Sequence, residues 1–397
     1  MLGQARSRFT TNLTVQGRFQ SVKIAIVNSF YREELPSGEN RAVRLQLEAL
    51  QKAGHDAQIF SKQTDLERRT PLYPMRVAAT VAFGVGGSLL KEIQDFEPDI
   101  VHVHNLFPNI GWSWLSSLEV PIVATLHNYR TFCSAGTAML DGHPCSLCQE
   151  SGSHQAVLNR CYRQSAVATI PLSIQTRKPF LEHPVIASAS GLVILSPRMR
   201  EVFKPLGIEE KNHQIIPNFV PSNPLTSSNK NGRWLWVGRI SAEKGLKNLL
   251  SIWPQGSALD IFGDGPQRAL LEDSKPDGGT FHGMASPEDL RRILPNYTGI
   301  VISSEWPETA VNLVHLEAIA SGLPVIARAG STSADEVATT GHGSTYSSKE
   351  ELHQALAKWN TQPADPSRIM ERFNQEYSEQ AWMKRMVGFY QSHITQS

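Results

Sequence analysis

The chain has 397 residues, too many for one hydrophobic core, so two domains are the default. Apolar residues make up 40% and charged residues 19%, the mix of an ordinary globular protein, which excludes a disordered or fibrous chain. With 38 basic against 37 acidic side chains the net charge is +1, so nothing points to nucleic acid as the main partner.

The first twenty residues carry Arg6, Arg8 and Arg18 without an apolar central run, unlike a secretory leader. Residues 1–21 are read as a disordered tail, or as residues ahead of the true start, because Val22-Lys23-Ile24 opens the first strand. A cytoplasmic site is the expectation, with a peripheral place at the inner membrane face as its variant. No window holds the roughly 18–20 consecutive apolar residues that a spanning helix needs. The longest candidate, Val77 to Leu90, is Gly-rich and reads as a core helix or a loop near a cleft.

From Lys23 onward, strand and helix signals alternate, the mark of a parallel sheet covered by helices. Lys23 to Ser29 is a β-rich run. A loop through Pro36-Ser37-Gly38 leads to helical spacing over Glu39 to Ala53, stopped by Gly54. Strands follow at Gln58 to Ser61, Asp99 to His104, Pro121 to His127 and Gly191 to Ser196, nearly continuous in apolar residues as doubly buried strands are. His102 and His104 share one face of their strand. They suggest an H-x-H metal pair or, more commonly, one packed and one cleft-lining histidine. Ala166 to Phe180, apolar and then basic at Arg177 and Lys178, reads as a buried helix, with membrane contact as the alternative.

Cys133, Cys145, Cys148 and Cys161 are the chain's four cysteines, spaced C-x11-C-x2-C-x12-C. In a reducing compartment this cluster suggests metal more than disulfides, and a C-x2-C knuckle suits tetrahedral zinc. The expectation is a structural zinc fixing the insert 133–161; disulfides and unrelated free thiols remain the other readings.

Residues 220–232, Pro/Ser/Asn/Gly-rich, have a linker composition and separate an N-terminal domain (22–219) from a C-terminal one (233–378). The second series runs through strands Trp234 to Val237, Ala258 to Phe262, Gly279 to His282, Gly299 to Ser303 and Pro324 to Ala327. Helices are expected at Gly245 to Trp253, Glu288 to Leu294 and Val311 to Ser321. A last helix over Glu379 to Ile394, in the closing segment 379–397, is expected to pack back on the N-terminal domain.

Ligands of open parallel sheets lie beyond the carboxyl ends of strands, so residues just after each strand carry the chemistry. Val237-Gly238-Arg239-Ile240-Ser241-Ala242-Glu243-Lys244-Gly245 runs from a strand into a helix start. Gly238 lets the backbone approach a ligand. Arg239 offers a planar fork and Lys244 a point charge, a pair suited to a diphosphate; the plainer reading is two surface cations at a turn. Phe262-Gly263-Asp264-Gly265-Pro266 is a tight turn after the next strand. Glu317 lies in a mostly apolar helix, where a carboxylate is costly without a partner, so it is expected to accept from ligand hydroxyls; a surface Glu is the alternative.

The order V-G-R-x4-K-G, F-G-D-G-P and S-x-W-P-E…L-E-A-x-A-x-G-x-P-V-I resembles the C-terminal half of family 4 retaining glycosyltransferases of the GT-B fold, and the likeness extends from Val22 to the end of the chain. The resemblance implies an α/β architecture of two Rossmann-like domains whose parallel sheets face each other across a cleft. It implies transfer of a sugar from a UDP-, GDP- or ADP-sugar to a sugar or lipid-linked saccharide hydroxyl, with retention, from the front face and without a catalytic metal. It places the diphosphate on Arg239 and Lys244, the nucleotide near Gly263 and Asp264, and the ribose on Glu317. His127 is carried over to the reacting region and Gly38 to the loop that lets acceptor or phosphate come close. The family's E-x7-E becomes E-x8-E here, from Glu308 to Glu317; Glu308 is preferred for the donor sugar and Thr309 is the alternative. Cysteine-bearing inserts tilt the acceptor toward polysaccharide assembly. A GT-B sugar-nucleotide epimerase and a non-catalytic two-domain sugar-binding protein are the competing functions.

Overall fold

The computed structural model describes residues 21–31, 37–223, 230–306 and 308–395. Residues 1–20 of the expected tail, part of the linker (224–229), Pro36 and Pro307 lie outside the described residues.

Two six-stranded parallel sheets form the frame. The first contains β1 (Lys23–Phe30), β2 (Asp56–Gln63), β3 (Ile100–Asn105) and β4 (Ile122–Thr125). A small hairpin, β5 (Met139–Leu140) with β6 (His143–Pro144), intervenes before the sheet's last members, β7 (Gly191–Ile194) and β8 (His213–Ile215). The second comprises β9 (Trp234–Val237), β10 (Leu259–Phe262), β11 (Thr280–Gly283), β12 (Gly299–Ile302), β13 (Val325–Arg328) and β14 (Gly343–Tyr346). Six helices matter below: α1 (Gly38–Lys52), α2 (Tyr73–Phe83), α3 (Ala166–Gln175), α4 (Leu246–Ile252), α5 (Leu313–Ala320) and α6 (Glu379–Ile394).

Period-two alternation divides each sheet between two cores. On β1, Ala25 and Val27 join one buried cluster while Ile24 and Ile26 join another on the opposite face. In the second sheet Leu235 and Ile300 face one core, and Trp234, Trp236 and Val301 the other. α6 returns to the first sheet: Trp382, Met386, Val387, Phe389 and Tyr390 share a cluster with Ile24, Ile26 and Val43. The last sixteen-residue helix is therefore part of the N-terminal core rather than of the sheet it follows in sequence.

Strand order fixes where each sheet opens. The second sheet reads β11-β10-β9-β12-β13-β14, so successive strands run outward in opposite directions from the β9/β12 junction. The first reads β2-β1-β3-β4-β7-β8, with its reversal between β1 and β3. A crevice forms beyond the carboxyl ends at such a reversal. Contacts place the two crevices face to face. A Cβ on Gly38, at the start of α1, would lie 3.7 Å from Leu313 at the start of α5. Thr309, after β12, donates to the His127 carbonyl after β4 at 2.7 Å, and Ser196, after β7, donates to the Thr309 carbonyl at 2.8 Å.

Val77 to Leu90 divides into the end of α2 and a loop beginning at Gly84, whose φ of +70° ends the helix. The expected helix from Gly245 instead begins as a 3-10 turn over Ala242–Lys244 followed by α4. Gly245, at φ +67°, is the break between them, and a Cβ there would sit 2.1 Å from the Ser303 carbonyl oxygen.

Candidate active site

The donor-side residues sit at the β9/β12 reversal. β9 delivers Gly238 and Arg239, the following 3-10 turn delivers Lys244, and the loop after β12 delivers Glu308. Lys244 Nζ lies 2.5 Å from Glu308 Oε1, and Ser304 donates to the same oxygen at 3.1 Å. Asn312 adds a longer contact at 3.4 Å. Glu308 is 5% exposed, and its Oε2 is buried without a hydrogen-bond partner among the described residues. Arg239 is exposed and has no ion-pair partner among the described residues. One cation is thus already countered and the other is open to solvent.

The glycine turn has a structural reason of its own. A Cβ on Gly263, at φ +150°, would stand 1.8 Å from the Gly238 carbonyl oxygen, so the loops after β9 and β10 pack backbone against backbone. Asp264 is exposed, and its carboxylate accepts from the Gly265 N–H at 2.7 Å.

Glu317, in α5, is 1% exposed, which removes the surface alternative. Its Oε1 accepts from Arg41 Nη2 at 2.5 Å, an ion pair that joins α1 to α5 across the crevice. Its Oε2 is buried and unpartnered among the described residues. Burial raises the carboxyl's pKa, and the Arg41 charge pulls it back only in part. Glu308 and Thr309 point to different partners: Glu308 to Lys244, Thr309 to the His127 carbonyl.

The other wall contains three imidazoles. His104 Nδ1 and His127 Nε2 are 2.8 Å apart. His102 is held by Tyr390 at 2.6 Å and Thr125 at 2.7 Å. Burial lowers His127 to about 4 and His102 to about 3, and takes His104 well below its ordinary value, so all three are neutral near pH 7. His102 is packed, with both ring nitrogens engaged by Tyr390 and Thr125, which leaves it no lone pair for an H-x-H metal pair, and His104 meets His127 in the crevice wall. His102 and His104 are both buried, at 0% and 7% exposure, because α6 covers one and His127 the other.

Beside them lies a group that residue spacing did not single out: Tyr31, Glu39, Asn105, Asn128 and Arg130, from the ends of β1, β3 and β4 and the start of α1. Asn105 donates to the Tyr31 hydroxyl at 2.8 Å, and Asn128 donates to Glu39 Oε2 at 3.4 Å. Glu39 Oε1 is buried and unpartnered among the described residues. Burial pushes Glu39 up to about 7, against the pull of Asn105, Arg130 and Asn128. Arg130 stacks over the Phe107 ring at 4.1 Å. The available signal was position alone, since these residues lie at or just beyond strand ends or open a helix.

The zinc expectation meets a different arrangement. Cys133, Cys145, Cys148 and Cys161 are free, partly exposed thiols. Among the described residues, no group of three or more His, Cys, Asp or Glu side chains is placed to hold a metal. The thiols are close enough to influence one another: burial first, then Cys133, Cys161 and Cys145, push Cys148 up to about 11. Backbone bonds also tie the insert, from Cys145 to the Ala138 carbonyl at 2.9 Å and from Cys161 to the Ala156 carbonyl at 3.0 Å.

Two Rossmann-like sheets with facing crevices, one lined by cations and buried carboxylates, define a GT-B glycosyltransferase architecture. The family profile described as Glycosyltransferase Family 4 matches residues 36–223, and Glycosyl transferases group 1 matches residues 231–360. The chain belongs to the family 4 glycosyltransferases. Among solved structures it is similar to sucrose-phosphate synthase from Thermosynechococcus elongatus, at TM-score 0.68 and 18% identity, covering 95% of this chain and 100% of that one. A glycosyltransferase from Rickettsia africae aligns at TM-score 0.63 and 14% identity, over 96% of this chain and 100% of that one. HepE of Anabaena, solved in complex with UDP, aligns at TM-score 0.57 and 14% identity, over 93% and 100%. At these identities the likeness shows the shared fold. No curated protein matches the chain in sequence. Among the described residues no helix is long and apolar enough to cross a membrane.

Proposed function

We propose that the chain moves a sugar from a nucleoside diphosphate sugar to a saccharide hydroxyl with retention, in polysaccharide or glycolipid synthesis. The observation that carries this reading is the Lys244–Glu308 ion pair beside the open Arg239, with a second buried carboxylate, Glu317, paired to Arg41, each carboxylate keeping one oxygen unpartnered among the described residues. Cations at the strand end meet the charge of the departing diphosphate, and free carboxylate oxygens accept from sugar and ribose hydroxyls. Glu308 Oε2 is assigned to the donor sugar and Glu317 Oε2 to the ribose, with Arg41 occupying Oε1 of Glu317. Gly238, Gly263 and Asp264 line the nucleotide side, and Gly38 the acceptor side.

His127, neutral near pH 7, supplies a hydrogen bond and not a positive charge to the reacting region. If its Nε2 accepts from His104, its proton sits on Nδ1. The difficult event is the build-up of charge on the leaving group, and the cations answer it in place. The leaving phosphate takes the acceptor proton on the same face as the incoming oxygen, which preserves the anomeric configuration.

A thermal-shift screen over UDP-, GDP- and ADP-sugars tests the donor, since a bound ligand raises apparent stability by mass action. One nucleotide class should stabilise the protein, and product from that donor should keep the donor's anomeric configuration by NMR. No stabilisation by any of them, or an inverted product, contradicts the proposal. Donor consumption with no acceptor product would indicate epimerase chemistry instead.

A further inference from the structure

The N-terminal half leaves large apolar side chains in water on adjoining helices. Leu72, Met75 and Phe83 are 71%, 68% and 60% exposed. Met75, Ala79 and Phe83 recur at i, i+4 and i+8, a single stripe along α2 with Leu72 just ahead of the helix, while Thr80, Val81 and Ala82 are buried. α3 repeats the pattern. Val167 and Ile170 are 77% and 44% exposed, with Ile174 next at i+7, and Thr169, Leu172 and Ser173 are buried. The reading of Ala166 to Phe180 as a buried helix therefore holds for one face only. α2 packs on α3, and α3 packs on the short helix His154–Leu158, whose Leu158 is 70% exposed. Scattered exposed apolar residues are ordinary, but parallel stripes on packed neighbours mark a contact surface.

Charge indicates what that surface contacts. No Asp or Glu occurs from Arg68 to Lys91, nor from Ser151 to Leu181. The same stretches expose Arg68, Arg69, Arg160, Arg163, Arg177 and Lys178. In a chain of net charge +1, this is a local cationic rim around apolar stripes. The surface also borders the acceptor side of the cleft. Tyr73, at the start of α2, donates to Asn109 Oδ1 at 2.9 Å, and Thr64 donates to the Phe30 carbonyl at the end of β1 at 2.9 Å. Tyr162 meets Phe107, beyond β3, with ring centroids 5.9 Å apart.

We propose that this face docks on a bilayer containing anionic phospholipid, with the apolar stripes at the acyl boundary and the arginines and lysine among the headgroups. It rests on the transfer reading only for its corollary, that the acceptor is a saccharide on a lipid anchor presented beside the N-terminal crevice. The surface itself stands on exposure and charge. A second copy of the chain is the poorer occupant, because a two-fold contact through this face would bring like-charged rims together.

Co-sedimentation of the full chain with phosphatidylcholine vesicles, with and without phosphatidylglycerol, tests the proposal. The protein should pellet with the anionic vesicles, be released by salt, and stay in solution with phosphatidylcholine alone. Arg177→Glu with Lys178→Glu should lower partitioning by about tenfold or more, and Met75→Ser with Val167→Ser by a similar factor of about ten. Each pair should keep the wild-type thermal shift with the donor nucleotide, which shows that it is folded. Equal partitioning of wild type and both pairs overturns the proposal, as does no partitioning at all. A stable dimer broken by Met75→Ser with Val167→Ser would assign the face to self-association and likewise overturn it. Wild-type protein that binds nucleotide but not anionic vesicles counts against this surface alone; absent nucleotide binding in the wild type counts against the transfer reading.

Discussion

The two crevices are topological relatives with opposite electrostatics. At β9/β12 the sheet presents Lys244, Arg239 and two buried carboxylates; at β1/β3 it presents three neutral imidazoles and Glu39, held near pH 7 between its two forms. The parallel sheet supplies a crevice in both cases, and the residues just past each strand decide its chemistry. A charged wall suits a ligand whose charge changes during reaction. A neutral, hydrogen-bonding wall suits one that must be oriented without being ionised.

The largest expected effect lies on the charged wall. Lys244→Ala and Arg239→Ala should each lower kcat/KM by about 10²-fold or more, the scale of a lost charge-stabilising donor. They should separate in stability. Lys244→Ala strands the buried Glu308 and should cost roughly 3 kcal/mol. Arg239→Ala removes an exposed side chain and should leave Tm unchanged. Equal melting shifts would break the distinction between the countered and the open cation.

Next comes Glu317→Gln, which keeps shape but loses the charge Arg41 pairs with. Donor KM should rise by about tenfold, the value of a hydrogen bond to a charged group, with a smaller change in kcat. A change confined to kcat would move Glu317 from binding to the chemical step.

On the neutral wall the signature is acid sensitivity. His102 has its folded value near 3 against an ordinary 6.5. Stability from keeping it neutral is therefore complete above about pH 6.5 and is lost as pH falls toward 3. Glu39 has the opposite sign. Its raised value, near 7 against 4.5, adds stability that is full below about pH 4.5 and is lost as pH rises through 7. Tm measured across pH should show a flatter acid limb in His102→Gln and a flatter neutral limb in Glu39→Gln. Unchanged profiles would mean that neither group is buried as described.

The smallest effect concerns the clasp between the walls. Thr309→Val removes the bond to the His127 carbonyl and should cost about 1 kcal/mol. Faster hydrogen exchange at the His127 loop would check it; exchange unchanged from wild type would dismiss the clasp.

Much of this was legible because apolar runs and strand-end glycines are local. β1, β9 and β12 each carry an uninterrupted apolar run, β3 one broken by His102 and His104, and Gly238, Gly245 and Gly263 stand where backbones meet. β8 (HQI) and β14 (GSTY) were not legible, because short polar edge strands lack that run. The Arg41–Glu317 pair is separated by 276 residues, and no spacing rule reaches across two domains. The four cysteines had metal-like spacing and lie near one another, yet spacing cannot say whether their sulfurs are placed as metal ligands, and among the described residues no group of three or more is. Val77 to Leu90 read as a core helix or a loop near a cleft, and the exposed stripe on α2 was missed, because periodicity reports a face and not what covers it.

The account depends above all on Arg239 and Lys244 binding a diphosphate in the second crevice. Calorimetric titration of the nucleoside diphosphate and the matching nucleoside into wild type and Arg239→Ala tests it most directly. The substitution should weaken the diphosphate by about tenfold or more and leave the nucleoside within about twofold, because only the former carries the charge that the guanidinium meets. Equal weakening of both, or of neither, would contradict it.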